Sequence, residues 1–163
     1  MVPEMFLISN KKQEKFLRKR PADFDFSQFT KKEIQDLVMH MKRIMRAANG
    51  VGLSANQIGL DLNMFVAEVP DAEGSLKFYT IFNPVIERSS EEKSVIEEGC
   101  LSIPGVFGDV PRAARIAIKA QDKNGRAIKI KAWGFLARVF QHEIDHLNGH
   151  VFTDRTKKLY IEK

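Results

Sequence analysis

Residues 133–148 read WGFLARVFQHEIDHLN, and this stretch decides how the rest of the chain must fold. Its apolar residues recur at helical spacing and predict one α-helix from Trp133 to Asn148. Gly149 follows, and glycine commonly takes the left-handed conformation just beyond a helix end. The apolar face comprises Trp133, Leu136, Ala137, Phe140, Ile144 and Leu147. A narrow polar strip comprises Arg138, Gln141 and Asp145, so most of the helix surface is predicted to face the protein interior.

Two histidines on this helix indicate metal chemistry. His142 and His146 are four residues apart, which places both imidazoles on one helix face. Phe135 and Val139 continue the same stripe, so the imidazoles are predicted to point into the protein, where buried polar groups need partners. Glu143 lies about 100° round the helix from His142, close enough to touch a water bound to the same ion. A helix with two incidental histidines would match the bare motif, but it would not explain their place among apolar residues.

A third ligand has to come from elsewhere, because a catalytic metal usually has three protein ligands and one open position. The carboxylates that follow the second histidine are Asp154 and Glu162, both in a charged terminal stretch, and His150 lies beyond the predicted helix end. Cys100 is the only cysteine, so it cannot form an internal disulfide. A free cysteine is often a small buried hydrophobe. Here its thiolate would complete a set that favours zinc or ferrous iron over magnesium or calcium.

The rest of the chain predicts an α+β fold. Thr30 and Glu33 form a capping box in front of an amphipathic helix over residues 31–48. Segments rich in β-branched and aromatic residues predict antiparallel strands at 62–69, 76–83, 114–120 and 126–132. We expect antiparallel sheets packed around a central C-terminal helix that carries the His-Glu-x-x-His motif, plus an N-terminal amphipathic helix. We expect one domain over residues 1–163.

Composition narrows the setting in which the protein works. The chain has 163 residues, of which 44% are hydrophobic and 29% charged, as in an ordinary globular domain. No segment approaches the ~20 apolar residues of a membrane span, and the first residues lack the pattern of a secretion signal. We expect a monomer in the cytoplasm, or in an organelle if a transit peptide has been removed. The net charge of +5 comes mainly from basic clusters near both ends, which favour a solvated surface over nucleic-acid recognition.

Three separated motifs resemble those of the peptide deformylases. They are GVGLSANQ at 50–57, EGCLS at 98–102 and QHEIDHL at 141–147. The resemblance implies removal of the formyl group from N-formylmethionyl nascent peptides made in bacteria or organelles. It also implies one divalent ion per chain, ferrous iron first, replaceable by zinc, nickel or cobalt. Some members dock on the ribosome near the exit tunnel through a long basic C-terminal helix, which the short stretch after Leu147 lacks.

Residue by residue, the resemblance assigns catalytic roles. The metal ligands correspond to Cys100, His142 and His146. Glu143 corresponds to the acid/base, which agrees with its predicted place beside a bound water. The Gln57 side-chain amide and the backbone N–H of Leu101 correspond to the donors that bind the formyl oxygen. Losing one such donor typically costs ~10²–10³ in rate.

The same resemblance outlines a substrate pocket. It corresponds to Gly50, Val51, Gly52, Ile96, Gly99, Phe135 and Val139. The apolar members could equally belong to a plain core, because pocket and core residues look alike in sequence. Gly52 is interpreted as letting the substrate backbone approach closely. Asp145 is expected to pair with Arg112. Ser54 stands where the family commonly has alanine, and residues 8–20 match the family's usual opening poorly.

Three other functions stay open on the sequence alone. A zinc endopeptidase would share the two histidines, but it would take its third ligand from downstream of His146. A catalytically idle fold would keep the metal for stability, although Glu143 and Gln57 are not needed to hold an ion. A basic RNA-binding module would use the charged ends of the chain.

Overall fold

The computed structural model describes residues 5–162, which form three α-helices and eight β-strands. The helices are α1 Lys11–Arg18, α2 Lys31–Ala47 and α3 Gly134–Leu147. The strands are β1 Gly52–Ser54, β2 Met64–Pro70, β3 Leu76–Ser89, β4 Lys93–Cys100, β5 Ile103–Ala113, β6 Arg115–Gln121, β7 Ala127–Trp133 and β8 Leu159–Ile161. Short 3₁₀ helices occupy Phe26–Gln28, Ala55–Ile58 and Phe152–Asp154.

The strands form two antiparallel sheets with α3 between them. One sheet has the order β1-β2-β3-β6-β7 and the other β4-β5-β8. Helix α3 contacts β1, β2, β6 and β7 of the first sheet and β5 of the second. Its buried face joins Phe65, Ile81 and Ile118 in one hydrophobic cluster. This arrangement confirms the predicted α+β fold with antiparallel sheets around a central C-terminal helix.

Helix α2 forms as its sequence predicts. The Thr30 side chain accepts from the Glu33 backbone N–H at 3.1 Å, and the Glu33 carboxylate accepts from the Thr30 N–H at 3.3 Å. These two bonds satisfy N–H groups that have no partner inside the helix. The buried stripe contains Ile34, Val38, Met41, Ile44 and Met45. It packs together with residues of β1 and β2, which fixes the position of the loop that follows α2.

The start of α3 differs from the prediction. The sequence pattern places Trp133 on the apolar helix face, but the residue ends β7, pairs with Arg115 of β6 and is 71% exposed. The helix begins one residue later because Gly134 has a φ of 62°, a left-handed conformation that turns the chain between β7 and α3. At the other end, Gly149 has a φ of 81°, and a Cβ there would lie 2.2 Å from the carbonyl oxygen of Arg18. The predicted glycine stop is therefore confirmed, and it also allows α1 to pack closely.

Candidate active site

Three possible ligand atoms meet where the end of β4 faces α3. Cys100 Sγ lies 3.3 Å from His146 Nε2, and His146 Nε2 lies 3.3 Å from His142 Nε2. All three atoms are within 4.8 Å of one another. The two histidines share one face of α3, and the pairing of β4 with β5 shifts register between Gly99 and Cys100. Such a bulge re-aims a side chain, here the thiol toward the helix.

This donor set fits a metal ion. Two imidazole nitrogens and a sulfur that converge at this distance are the donors that zinc and ferrous iron prefer. Burial and the neighbouring His142 charge lower the pKa of His146 well below its usual value, which keeps that ring in the neutral form that ligates. Burial alone would lower the pKa of His142, but hydrogen bonds with Cys100 and Glu98 raise it to about 10. An ion would therefore take the place of a proton held between these groups.

A buried carboxylate fixes the orientation of His142. Glu98 Oε1 lies 2.8 Å from His142 Nδ1, which leaves Nε2 facing Cys100. Both Glu98 oxygens accept from Arg112, at 2.8 and 2.9 Å, and Arg138 adds a further contact to Oε2. Burial opposes ionisation of Glu98, yet the hydrogen bonds from Arg112 and His142 lower its pKa to about 2. The lowered pKa favours the ionised form of Glu98 at neutral pH, in which it accepts from the His142 imidazole.

The charged network extends to the end of the chain. Arg112 Nη1 donates to Asp145 Oδ2 at 2.6 Å, which confirms the expected pair. Arg155, from the segment after α3, donates to the same carboxylate through Nε at 3.1 Å and Nη2 at 2.8 Å. Arg138 belongs to the predicted polar strip but is only 3% exposed. Arg138 and Asp145 of the strip thus belong to an internal ion network, because β4 and β5 cover this side of the helix.

The side chain of Gln57 is held with its NH₂ group toward Cys100. Gln57 Oε1 accepts from the Ser54 backbone N–H at 3.0 Å, and the Ser54 hydroxyl lies 3.1 Å from the same oxygen. On the other side, Gln57 Nε2 donates to Ser102 Oγ at 3.1 Å and lies 3.6 Å from Cys100 Sγ. These contacts settle which end of the amide faces the possible metal site.

Glu143 is buried beside the same atoms. It is 4% exposed, and its Oε2 has no hydrogen-bond partner in the part of the chain that the structure describes. Burial raises the pKa of Glu143 to about 7, against the opposing effects of His142 and Arg112. A Cβ built on Gly52 would lie 2.6 Å from Glu143 Oε1. Glycine at this position therefore leaves the space that the carboxylate occupies.

A cleft of about 520 Å³ opens in front of these groups. Six of the seven residues predicted for a substrate pocket line it: Gly50, Val51, Gly52, Gly99, Phe135 and Val139. Leu101 lines it too, together with Gln57, Cys100, His142 and Glu143. Ile96 is not among the lining residues and lies 45% exposed on β4. The cleft thus brings apolar walls next to the buried polar cluster.

The family model described as Polypeptide deformylase matches residues 8–161. The chain belongs to this family. The peptide deformylase of Halothermothrix orenii is 41% identical over 133 residues, which are 82% of this chain and 83% of the relative. Peptide deformylase 1 of Bacillus cereus is 42% identical over 132 residues, 80% of this chain and 81% of the relative.

Solved deformylase structures have the same fold. The peptide deformylase of Thermus thermophilus has a TM-score of 0.82 and 38% identity, covering 96% of this chain and 86% of that one. The peptide deformylase of Thermotoga maritima has a TM-score of 0.83 and 32% identity, covering 96% and 99%. The expected family and activity are confirmed: peptide deformylases are metal-dependent enzymes that remove the N-formyl group from nascent peptides.

Two residues of this deformylase site do not stand out in the sequence. Glu98 appears there only as part of a motif, and Arg138 as part of a polar strip. The available signal is chemical, because a metal-ligating histidine almost always donates its other ring nitrogen to a carboxylate or carbonyl. Glu98, two residues before Cys100, is a candidate for that role. Within residues 5–162, no helix of this deformylase is long and apolar enough to cross a membrane.

Proposed function

We propose that this chain is a working peptide deformylase in which Cys100, His142 and His146 hold one divalent ion and Glu143 transfers the proton. The observation that carries the proposal is the convergence of the three ligand atoms within 4.8 Å, next to a buried carboxylate oxygen that has no partner among the described residues. Ferrous iron is our first choice of metal, and zinc, nickel or cobalt suit the same donors.

The roles of the residues follow from their positions. When bound, the ion supplies a Lewis acid that polarises the formyl carbonyl and lowers the pKa of a water toward ~7. Glu143 Oε2 accepts a proton from the attacking water and later delivers it to the departing amine nitrogen as the C–N bond breaks. Burial raises the pKa of Glu143, which favours proton uptake by a group that has to take up and release a proton.

Two donors stabilise the charge that develops on the formyl oxygen. Gln57 Nε2 is one, because its amide is oriented toward Cys100 by the contacts to Ser54 and Ser102. The backbone N–H of Leu101 is the other. Donors fixed in advance at the place where charge develops act without reorganisation during the reaction.

The cleft receives the start of the peptide. We propose that the methionine side chain lies between Val51, Phe135 and Val139, with the backbone of Gly50 and Gly99 alongside the substrate. We further propose that the protein is a monomer with one domain over 1–163, and that it works where nascent chains begin with formylmethionine, in a bacterial-type cytoplasm or an organelle. We also propose that an encounter with the ribosome near the exit tunnel would not use residues 148–162 as a long helix, because they form a 3₁₀ helix and β8.

The decisive experiment measures the products of a short formylated peptide. Protein purified without oxygen is expected to release formate from formyl-Met-Ala-Ser and to leave the internal amide bonds intact, with about one metal ion per chain. Metal analysis of the same sample identifies the ion. An unformylated peptide of the same sequence is the control, and it should remain uncut. Cleavage within that control, without formate, would identify an endopeptidase instead.

Gly52→Ala tests the clearance around Glu143. The new methyl group would meet the carboxylate at 2.6 Å, so Glu143 is expected to shift and kcat to fall by about 10–100-fold, as for misplacement by ~1 Å. Gly108→Ala is the matched control, since its methyl would meet the Leu159 side chain at 2.8 Å and Gly108 does not line the cleft. A smaller loss of kcat is expected there. Equal losses in both variants, measured by formate release, would contradict a special role for Gly52.

A further inference from the structure

The first described residues cross the two chain segments that carry the proposed oxyanion donors. We call residues 5–8 the N-terminal strap. The Phe6 backbone N–H donates to the Gln57 carbonyl at 2.7 Å, and the Ile8 N–H donates to the Ser102 carbonyl at 3.0 Å. Gln57 lies in the 3₁₀ helix that follows β1, and Ser102 lies in the turn between β4 and β5. The strap therefore joins two segments that are 45 residues apart in sequence.

The strap is itself anchored at several points. The Phe6 ring lies against Gly59, where a Cβ would be 2.7 Å from the ring, and it meets the Phe16 ring edge-on at 5.3 Å. The Leu7 N–H donates to Gln13 Oε1 at 2.8 Å. Helix α1 then packs through Leu17, which is 1% exposed. The strap and helix α1 are thus packed against the rest of the fold, although α1 also carries several basic side chains.

Arg18 completes the anchorage at the far end of α1. Its Nη1 lies 2.5 Å from Asp154 Oδ2 and donates to the Gly149 carbonyl at 3.4 Å. These contacts tie α1 to the turn that follows α3, the helix with both histidines. The strap is thus linked, through α1, to the metal-bearing helix and directly to the two segments in front of it.

We propose that the N-terminal strap is a positioning element that sets the distance between the Gln57 amide and the Leu101 N–H. The inference rests on the proposed roles of these two groups. The Ser102 carbonyl lies two peptide units beyond the Leu101 N–H in the same turn, so holding this carbonyl restrains the turn that carries the N–H. The Gln57 side chain also links the two segments, since it bonds Ser102 Oγ and approaches Cys100 Sγ. The strap adds a connection between their main chains.

A positioning role predicts a specific kinetic signature. Donors to the oxyanion act more strongly in the transition state than on the bound substrate, so their displacement lowers kcat and leaves KM nearly unchanged. A purely structural role for the strap would lower the melting temperature without this effect. It would also act independently of Gln57.

The test is a double-mutant cycle between Phe6 and Gln57. Phe6→Ala is expected to lower kcat about tenfold on formyl-Met-Ala-Ser, at a temperature where circular dichroism shows folded protein. In a Gln57→Ala background the same change is expected to cost much less, because the donor that the strap positions is already absent. Phe26→Ala is the matched control, a half-buried phenylalanine that packs on Phe24 and Phe82. It is expected to lower the melting temperature and leave kcat unchanged.

The outcomes separate this inference from the proposed function. The positioning role is wrong if Phe6→Ala lowers kcat equally in both backgrounds, or if it changes only the melting temperature. In either case the wild type would still release formate, so the proposed deformylase function would stand. Absence of formate from the wild type would overturn the function itself. If Phe6→Ala does not fold, Phe6→Leu and Ile8→Pro carry the same comparison, the second by removing the N–H that donates to Ser102.

Discussion

Glu143→Gln is expected to lower kcat by about 10²–10⁴-fold while the protein keeps its fold and its metal. Glutamine has nearly the same shape, but its amide cannot accept the proton that leaves the attacking water. Glu143 is 4% exposed, so no bulk water replaces it at the same place. Glu143 supplies none of the three converging ligand atoms, so replacing its carboxylate should leave metal binding intact. The measurements are kcat by formate release and metal content per chain on the same preparation.

Glu97→Gln is the matched control for this experiment. Glu97 lines the same cleft, but its carboxylate is exposed and accepts from the Tyr160 hydroxyl at 2.5 Å instead of facing the ligands. The same chemical change there is expected to leave kcat close to that of the wild type. The assigned role is wrong if Glu143→Gln turns over like the wild type. A variant that loses its metal would show that Glu143 helps to hold the ion.

Helices α2 and α3 and four strands of the five-stranded sheet are predictable because their burial is periodic, whereas α1 and β1 are not among the predicted elements. Helix α2 and strands β2, β3, β6 and β7 appear in the sequence as amphipathic or alternating segments, and each is present within a few residues, although β3 runs on to Ser89. Strands β4 and β5 are missed for a physical reason. β4 is an edge strand with mostly exposed residues, and β5 contains two prolines and two glycines. Neither shows the alternation that signals a half-buried strand.

The network around the ligands can be inferred only in part. Cys100 can be predicted without knowledge of the strands around it, because a catalytic ion usually needs three protein ligands and the helix supplies two. The pairing of Asp145 with Arg112 follows from charge alone, but a helical wheel cannot distinguish a buried Arg138 from a solvated one. The strap leaves no sequence signal at all, because it acts through backbone N–H groups that every residue except proline possesses.

The sequence singles out Gly52 correctly but explains only part of why this position is glycine. From the sequence, the missing side chain is interpreted as room for the substrate. In the structure, a Cβ at this position would point at the Glu143 carboxylate. Gly52 and Glu143 are 91 positions apart in the sequence and come together because β1 packs on α3. Contacts of this kind depend on tertiary packing, which local spacing does not encode.

Cys100→Ala is expected to remove the metal and with it the activity. Two imidazoles on one helix would remain, one fewer than the three protein ligands usual for a catalytic ion. Loss of an outer hydrogen-bond partner already costs about 10–100-fold in metal affinity, so loss of a ligand should cost more than about 100-fold. Cobalt-loaded wild type should show a thiolate-to-metal charge-transfer band in the near ultraviolet. The variant should lack this band, hold little cobalt after gel filtration and release no formate.

His150→Ala is the control that separates a ligand from a neighbour. His150 is exposed, lies beyond the end of α3 and faces Asp154, with Nδ1 3.8 Å from the carboxylate. Its removal takes away a possible metal-binding group without touching the converging atoms, so both the cobalt band and kcat should persist. A Cys100→Ala protein that keeps one ion per chain and full turnover would show that the thiol is not a ligand. The two histidines would then need another third partner, and the buried Glu143 carboxylate, whose Oε2 has no hydrogen-bond partner among the described residues, would be the candidate.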